Sequence, residues 1–322
     1  MKKKIIYFII TICALLWVMP VSAQEVTLSM FPPITELFVK PGKTLLIGYT
    51  VQNLGDPTTL QFKVRGFSPQ GDYGEMTIDN ELISPIRFSL DNTDVTFEQP
   101  FFMKQRDTTQ ALLRIRIPEG TPEGDYYFAF LAETQPVPTI GGTTNSLAQA
   151  TIGSNLLLTV TQTGLIEVKA AIALFSIKPD FIFHLFGKEY QVFESSNKVP
   201  VNLIIQNQGK NLIKPNGELT LKSMWGDKRT YPLLSQNILA NSKRLIKTTD
   251  LNNTDPHLSA LLSGYFVGPY SLSTNITFQD DKSQLVSTIS FIGIPFKFLA
   301  TIFGVSIISV FIILFIRKKS KE

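Results

Sequence analysis

The 322-residue chain carries 30 Lys and Arg against 26 Asp and Glu, and its formal net charge is +4. Eight of the cations lie at the two ends, in Lys2–Lys4 and from Lys297 onward, so residues 24–296 carry a net charge of −3. This distribution argues against nucleic-acid binding, which needs a basic patch on the folded part. The single cysteine, Cys13, lies in the N-terminal apolar run, so the rest of the chain has no disulfide framework and no cysteine-ligated metal.

Residues 1–23 predict a signal peptide, because they combine a basic start, an apolar run and a small-residue cleavage site. Lys2–Lys4 supply the charge, Ile5 to Met19 form the apolar run, and residues 21–23 (VSA) form the cleavage site. We expect cleavage before Gln24. The alternative is an uncleaved N-terminal anchor.

Residues 24–294 are long enough for two domains and alternate apolar with polar residues between turns rich in Pro, Gly, Asn and Asp. This alternation predicts half-buried antiparallel strands, and no long amphipathic helix interrupts it. Examples of the apolar face are Leu45, Ile47, Tyr49 and Val51; Leu113, Ile115 and Ile117; Tyr126, Phe128 and Phe130; and Val199, Val201, Leu203 and Ile205.

The second half of this region repeats the first. Residues 51–56 (VQNLGD) correspond to residues 205–210 (IQNQGK), and residues 124–126 (GDY) open a strand as residues 268–270 (GPY) do. An Asn-x-Gly after a strand tolerates left-handed φ and offers a side-chain acceptor. A Tyr after Gly buries its ring while its hydroxyl reaches the backbone, as in a tyrosine corner. These residues therefore indicate a repeated fold more than a ligand site.

The pattern predicts an all-β fold of two tandem immunoglobulin-like β-sandwiches. The first covers residues 24–164 and the second covers residues 165–294, with the boundary near Thr163-Gly164.

One candidate partner contact is the segment from Glu133 to Thr151, which is long and rich in small residues between two firm strands. Long loops in compact domains are functional or disordered. We interpret this segment as either a mobile hairpin tip or a partner-binding loop that uses Pro136, Pro138 and Asn145.

A second candidate is the segment from Lys178 to Asn197, which contains Phe181, Phe183, Phe186 and Tyr190 at the start of the second domain. Such an aromatic cluster indicates either an interdomain plug or strand, or an exposed apolar contact surface.

The C-terminal region predicts a transmembrane helix at residues 295–316. Pro295 suits a helix start, and Phe298 to Ile316 contain no charge over about 28 Å of helix. Residues 317–322 are basic, so the positive-inside rule places this tail in the cytoplasm and the bulk of the chain outside. No L-P-x-T-G sorting motif precedes the apolar run. The sequence therefore predicts a single-pass protein of the cell membrane.

The sequence contains no H-E-x-x-H zinc motif, no G-x-S-x-G nucleophile motif and no P-loop. His184 and His257 are isolated, and we expect His184 to be packed within its apolar run. The acidic runs Asp91–Asp94 and Asp280-Asp281 could hold calcium but lack EF-hand spacing. We expect no enzyme activity, no cofactor and no metal.

Several short segments occur in a fixed order along the chain: FPPI (31–34) and VKPG (39–42), IPEG (117–120) and GDYY (124–127), residues 201–209 with KPNGEL (214–219), and IPFK (294–297). With the layout of signal peptide, two sandwiches and a helix with a Lys-rich tail, these segments resemble the WxL-interacting surface proteins of Gram-positive bacteria. The resemblance implies a cell-surface adaptor, with the first domain associated with peptidoglycan and the second with host ligands or partner WxL proteins. The edge strands of the first domain also resemble those of pilus-chaperone sandwiches, which donate strands to partners.

Three functional hypotheses follow. The leading one is a non-enzymatic extracellular adaptor, held in the lipid bilayer by Phe298 to Ile316, that engages cell-wall polymer or a secreted surface protein through sandwich edges and loops. The alternative is a carbohydrate-binding or pilus/surface-assembly chaperone-like module. The third is a glycan hydrolase with two facing carboxylates. None of them involves nucleic acid.

Overall fold

The computed structural model describes residues 25–92, 94–135, 150–250, 255–279 and 283–319. The predicted signal peptide therefore lies outside the described residues, as do Pro136, Pro138 and Asn145. The described chain is all-β with one C-terminal helix, as predicted.

The first sandwich contains ten strands in two sheets. One sheet has the order β1-β3-β8-β6 and the other has the order β2-β10-β9-β4-β5, with β7 paired to β4. In chain order the strands are β1 (Leu28–Phe31), β2 (Ile34–Val39), β3 (Thr44–Asn53), β4 (Thr58–Gln70), β5 (Glu75–Ile78), β6 (Arg87–Leu90), β7 (Phe101–Met103), β8 (Thr108–Arg116), β9 (Gly124–Gln135) and β10 (Thr151–Val160).

The core of the first sandwich confirms the predicted alternation on β8, because Leu113, Ile115 and Ile117 are fully buried. On β9 the prediction of a half-buried strand is wrong. Ala129 and Leu131, on the face opposite Phe128 and Phe130, are buried as well, because side chains of the second sandwich such as Leu212 cover that face.

The second sandwich repeats the arrangement. A smaller sheet has the order β11-β14-β17, with β18 paired to β14, and a six-stranded sheet has the order β12-β13-β20-β19-β15-β16. The strands are β11 (Ala170–Ile177), β12 (Phe181–Leu185), β13 (Lys188–Glu194), β14 (Val199–Asn207), β15 (Asn216–Ser223), β16 (Lys228–Pro232), β17 (Lys243–Leu245), β18 (Ala260–Leu262), β19 (Gly268–Thr277) and β20 (Gln284–Ile294).

The helix α1 (Phe296–Lys319) follows β20 directly and begins after Pro295, as predicted. Its stretch from Phe296 to Leu314 has a mean hydropathy of 2.3 and is unburied. Its 24 residues span about 36 Å at about 1.5 Å per residue. It is long and apolar enough to cross a bilayer.

The Asn-x-Gly repeat has the same role in both domains. The amide of Asn53 donates to the carbonyls of Asp56 and Lys104, at 2.8 and 3.1 Å. The amide of Asn207 donates to the carbonyls of Asn211 and Ile238, at 2.7 and 3.1 Å. Both asparagines are fully buried.

Half of the expected reason for this motif is confirmed, because the asparagine side chain is a local acceptor. Oδ1 of Asn53 accepts from the N–H of Gly55 at 3.1 Å, and Oδ1 of Asn207 accepts from that of Gly209 at 2.9 Å. The other half, left-handed φ, is wrong, because neither the asparagines nor the glycines of the motif have positive φ.

Each glycine of the motif instead permits a close approach of the backbone. A Cβ on Gly55 would lie 2.3 Å from the carbonyl oxygen of Glu25, and one on Gly209 would lie 3.1 Å from that of Glu167. The buried asparagine joins loops that are distant in sequence. The glycine leaves room for the backbone of the first segment of its domain to pack directly against it.

The expected tyrosine corner is confirmed in the first domain, where the Tyr126 hydroxyl donates to the carbonyl of Pro122 at 3.0 Å. In the second domain the Tyr270 hydroxyl accepts from the backbone N–H of Val267 at 3.4 Å. Both rings pack against their domain cores.

An apolar cluster joins the two sandwiches. It combines side chains from the outer face of the β2-β10-β9-β4-β5 sheet with side chains of the second domain. The members are Phe67, Ala129, Leu131, Leu157 and Leu212, with Tyr127 and Leu239 packed against them.

Polar contacts between the domains surround this cluster. The Asp125 carboxylate accepts from the amide of Asn211 at 3.1 Å and from the backbone N–H of Leu212. The Tyr127 hydroxyl donates to Asp125 at 2.8 Å and accepts from the N–H of Ala240 at 2.8 Å. Burial and the adjacent Asp125 carboxylate raise the pKa of Tyr127 well above its ordinary value, so the hydroxyl keeps its proton and the contact.

Glu36 forms another link between the domains. Its carboxylate accepts from Lys214 Nζ at 2.5 Å and from the amide of Asn237 at 2.6 Å. Burial alone would raise the pKa of Glu36, but these two hydrogen bonds and the Lys214 charge lower it below its ordinary value.

The turn between β4 and β5 also reaches the second domain, where the N–H of Leu245 donates to the carbonyl of Asp72 at 2.6 Å. The apolar and polar contacts together hold the two sandwiches in one arrangement.

Candidate functional site

Strands β12 and β13 form a two-stranded hairpin, residues 181–194, which we call the aromatic hairpin. Its turn consists of Phe186 and Gly187, whose φ angles are 50° and 72°. Left-handed values at both positions are typical of the two-residue turns that match the twist of a hairpin. Only Val192 to Glu194 pair with β20, so the rest of the hairpin extends beyond the sheet.

The aromatic hairpin is exposed on both faces along β12, while the end of β13 from Val192 to Glu194 is buried. All five residues of β12 are exposed. Phe181, Phe183 and Leu185 share one face with Tyr190, the cross-strand partner of Phe183. Phe186 at the turn is 93% exposed. The structure brings the four predicted contact residues of this segment onto one hairpin. The expectation of a strand is confirmed, and that of an interdomain plug is wrong because all of β12 is exposed.

The expectation that His184 is packed is also wrong. Its side chain is 71% exposed, and its Nε2 lies 3.8 Å from the Glu189 carboxylate across the hairpin. His257 instead joins the two domains, because its ring contacts Tyr73 of the first sandwich with centroids 4.6 Å apart.

Strand β12 forms one edge of the six-stranded sheet, and no strand of the described chain pairs with its outer side. Natural proteins protect such edges with Lys, Pro, bulges or covering elements. Strand β16, at the opposite edge, carries Lys228, Arg229 and Pro232. Strand β12 reads FIFHL and carries none of these protections.

The base of the aromatic hairpin is fixed beside the helix. The Phe181 ring contacts Phe296 with centroids 5.5 Å apart. The Asp180 carboxylate accepts from the N–H of Glu194 at 2.9 Å, and the Glu194 carboxylate accepts from the N–H of Lys297 at 3.2 Å. Glu194 therefore satisfies one of the unpaired N–H groups at the start of α1, where a negative charge is favourable.

A cleft of about 270 Å³ lies between the domains. It is lined by apolar side chains such as Met76 and Leu157 and by Arg244. Burial lowers the pKa of the Arg244 guanidinium from its ordinary value, and its Nη1 donates to the carbonyl of Asn237 at 2.7 Å. Because Gly74 has no Cβ, the guanidinium can lie against its backbone. No sequence pattern marks this cleft, since its two walls come from different domains.

The first domain has edge strands among the described residues, as expected. Strands β1 and β6 end one of its sheets, and strands β2 and β5 end the other. Strand β2 pairs with β10 only from Asn155 to Val160. The edge made of five exposed residues, four of them apolar, lies in the second domain at β12.

No group of three or more His, Cys, Asp and Glu side chains that could hold a metal ion occurs among the described residues. Asp91, in one candidate calcium run, is paired with Arg114 at 2.6 Å. Asp280 and Asp281 lie outside the described part of the chain.

No family model and no curated protein sequence matches the chain. The fold is similar to solved fimbrial chaperones. The class 5 fimbriae chaperone CfaA is 11% identical, with 81% of this chain and 98% of that chain covered and a TM-score of 0.38. The E. coli chaperone DraB is 13% identical, with 83% and 98% covered and a TM-score of 0.36. The Salmonella enterica SafB chaperone, solved with SafA pilin, is 10% identical, with 84% and 98% covered and a TM-score of 0.35.

Proposed function

We propose that this protein is a membrane-tethered binding module that holds an extended, apolar segment of an exported surface protein by adding it as a strand to β12. The single observation that carries the proposal is the chemistry of this edge. Five consecutive exposed residues, four of them apolar, offer unpaired backbone groups without any of the usual protections.

The aromatic hairpin defines what such a segment needs. Backbone pairing supplies affinity without sequence preference, and alternate side chains supply specificity. A partner strand on β12 places every second side chain beside Phe181, Phe183 and Leu185, so apolar residues at those positions bind best. Fully burying one Phe contributes about 1.5–3 kcal/mol to the binding free energy. Covering two of them keeps binding favourable even after the entropy cost of ordering the partner segment.

The tether is α1, and the basic residues 317–321 orient it with the tail in the cytoplasm and both sandwiches outside. In this arrangement the protein acts by contact and not by catalysis. A secreted surface protein of the kind implied by the WxL resemblance, or a subunit awaiting assembly, has the required chemistry.

The test is photo-crosslinking of the full chain in intact cells, with a benzoylphenylalanine residue at Phe183. The control carries the same group at Phe102, an exposed phenylalanine of the first domain. We expect adducts with an exported protein from position 183 only. Adducts with a second copy of this chain or with wall polymer, or no adduct, would contradict the proposal.

The matched variant gives β12 the charged side chains that protect the edge strand β16. Phe183→Lys with Leu185→Lys gives β12 the chemistry of β16. To follow binding in this variant, the photoreactive group is placed at Ile182. We expect at least about a tenfold loss of adduct, since about 1.4 kcal/mol already changes binding tenfold. The thermal midpoint should change little, because exposed substitutions usually alter stability by about 0.5 kcal/mol or less.

A further inference from the structure

Several loops of the second domain lie at the same end of the six-stranded sheet as the start of α1. Gly268 pairs with Gly293, two residues before Pro295, and Ser223 pairs with Tyr270. The β15–β16 turn is held there by a bond from the N–H of Met224 to the carbonyl of Pro269, at 3.0 Å. The β15–β16 turn, the β18–β19 loop and the base of β12 therefore surround the junction with the helix.

These loops expose large apolar and aromatic side chains. Trp225 is 74% exposed, Met224 62% and Tyr265 61%, and Val267 is also exposed. The opposite end of the same sheet has polar residues, for example Asn216 and Gln284. We call the exposed set the aromatic rim; its members are Phe181, Met224, Trp225, Tyr265, Val267 and Phe296.

The fold fixes the aromatic rim in place. Phe266 is buried between Tyr270 and Phe291, with centroids 5.4 and 5.7 Å apart. Its N–H donates to the carbonyl of Ser195 at 2.9 Å, and the N–H of Ser195 donates to the carbonyl of Ile294 at 3.1 Å. Because Phe266 is held inward, its neighbours Tyr265 and Val267 are exposed at the surface.

We infer that this end of the second domain is seated on the bilayer surface, with the aromatic rim at the level of the lipid headgroups. The inference rests on α1 spanning the membrane. We assign a lipid bilayer as the surface that the aromatic rim contacts, because the rim directly adjoins the start of α1. Trp225 and Phe181 lie about two strand spacings, about 10 Å, to either side of β20.

The chemistry of the rim fits a headgroup layer. Trp and Tyr are enriched at membrane interfaces, since their rings are apolar and carry a polar group. Lys228 follows the β15–β16 turn and Lys297 is the second residue of α1, and both can reach lipid phosphates. A seated domain has a fixed orientation, so the aromatic hairpin is held at a constant position relative to the bilayer.

Tryptophan fluorescence tests this directly, because the sequence contains only Trp17 and Trp225. The full chain with Trp17→Phe is reconstituted in vesicles of phosphatidylcholine and phosphatidylglycerol, in which part of the phosphatidylcholine carries bromine near the headgroup. We expect the brominated lipid to quench Trp225 emission by about half. The matched control, Trp225→Phe with Phe102→Trp, places tryptophan on the first domain, and its emission should not change.

Equal emission of Trp225 with and without brominated lipid would overturn the inference. An alkaline wash of the vesicles separates this result from failure of the tether. If the chain stays with the vesicles and Trp225 is not quenched, only the seating is wrong. If the chain is released, α1 does not span the bilayer, and both the tether and the seating are wrong.

Discussion

The two edges of the six-stranded sheet have the same length and opposite chemistry. Strand β12 and strand β16 have five residues each, and both are largely exposed. Strand β16 reads KRTYP and is protected by charge and by Pro232, whereas β12 reads FIFHL. Exposure alone therefore does not distinguish the two edges; the absence of protection against unwanted pairing does, and it is the basis of the proposed strand addition at β12.

The largest expected effect comes from a substitution on β20, a central strand between the two edges. A Cβ on Gly293 would lie 2.2 Å from the carbonyl oxygen of Phe266. Phe266 is held in the β18–β19 loop by its N–H bond to the carbonyl of Ser195 and by its ring contact with Phe291 of β20, so moving it away disrupts those contacts. We expect Gly293→Ala to destabilise the protein by about 3 kcal/mol. Thermal unfolding followed by circular dichroism in detergent measures the change.

Gly187, at the turn of the aromatic hairpin, is the control for this prediction. It has positive φ but open space around it, so Gly187→Ala should cost only about 1 kcal/mol. Equal losses of unfolding free energy in Gly293→Ala and Gly187→Ala would contradict this prediction. They would mean that the hairpin turn is packed as tightly as β20.

An intermediate effect is expected when the protected edge loses its protection. Lys228→Ile with Thr230→Ile makes β16 resemble β12, and the variant should self-associate through the new edge. Light scattering after size-exclusion chromatography in detergent measures the oligomeric state. Lys40→Ile with Lys43→Ile adds similar hydrophobicity at an exposed turn and should leave the oligomeric state unchanged. If the Lys228→Ile, Thr230→Ile variant stays monomeric, charge on β16 does not prevent edge pairing, and the difference in protection between β12 and β16 has no effect on association.

The smallest effect concerns the contact between the domains, far from either edge. The pKa of Glu36 is lowered in the folded protein. The ionised Glu36 carboxylate therefore adds to the free energy of unfolding above its ordinary pKa of 4.5. This contribution is lost as the pH falls through the lower pKa of the folded protein. We expect Glu36→Gln to cost on the order of 1 kcal/mol or less at pH 7, because the pair is partly exposed.

The same difference should shrink as the pH falls below 4.5 and through the lower, folded pKa, which unfolding curves of both proteins over a series of pH values can measure. Crosslinking from the aromatic hairpin should be unaffected by Glu36→Gln. A loss of crosslinking would mean that the binding edge depends on the domain arrangement.

Much of the fold could be predicted from the sequence, because alternation has a period of two and directly marks which side chains face a core. Leu113, Ile115 and Ile117 are examples. The prediction failed at Ala129 and Leu131, because a second domain covers their face, and no local pattern reports a distant partner. It failed at His184 for the opposite reason, since an apolar run that extends beyond its sheet has nothing to pack against.

The candidate site could be predicted only in part. Phe181, Phe183, Phe186 and Tyr190 are close in sequence and stay together on one hairpin. The aromatic rim could not be predicted, because Trp225 and Tyr265 are 40 residues apart in the sequence and are brought together only by antiparallel pairing.

The sequence by itself determined the two β-sandwiches and the long apolar helix, because alternation and continuous hydrophobicity are local properties of the chain. Only the tertiary structure decided which strand edge remains open and which side chains surround the start of α1. These features depend on pairings such as Val192 with Ile292 and Ser223 with Tyr270. These pairings join residues that are distant in the chain. Bringing such residues together costs chain entropy, and only the contacts of the complete sheet offset that cost.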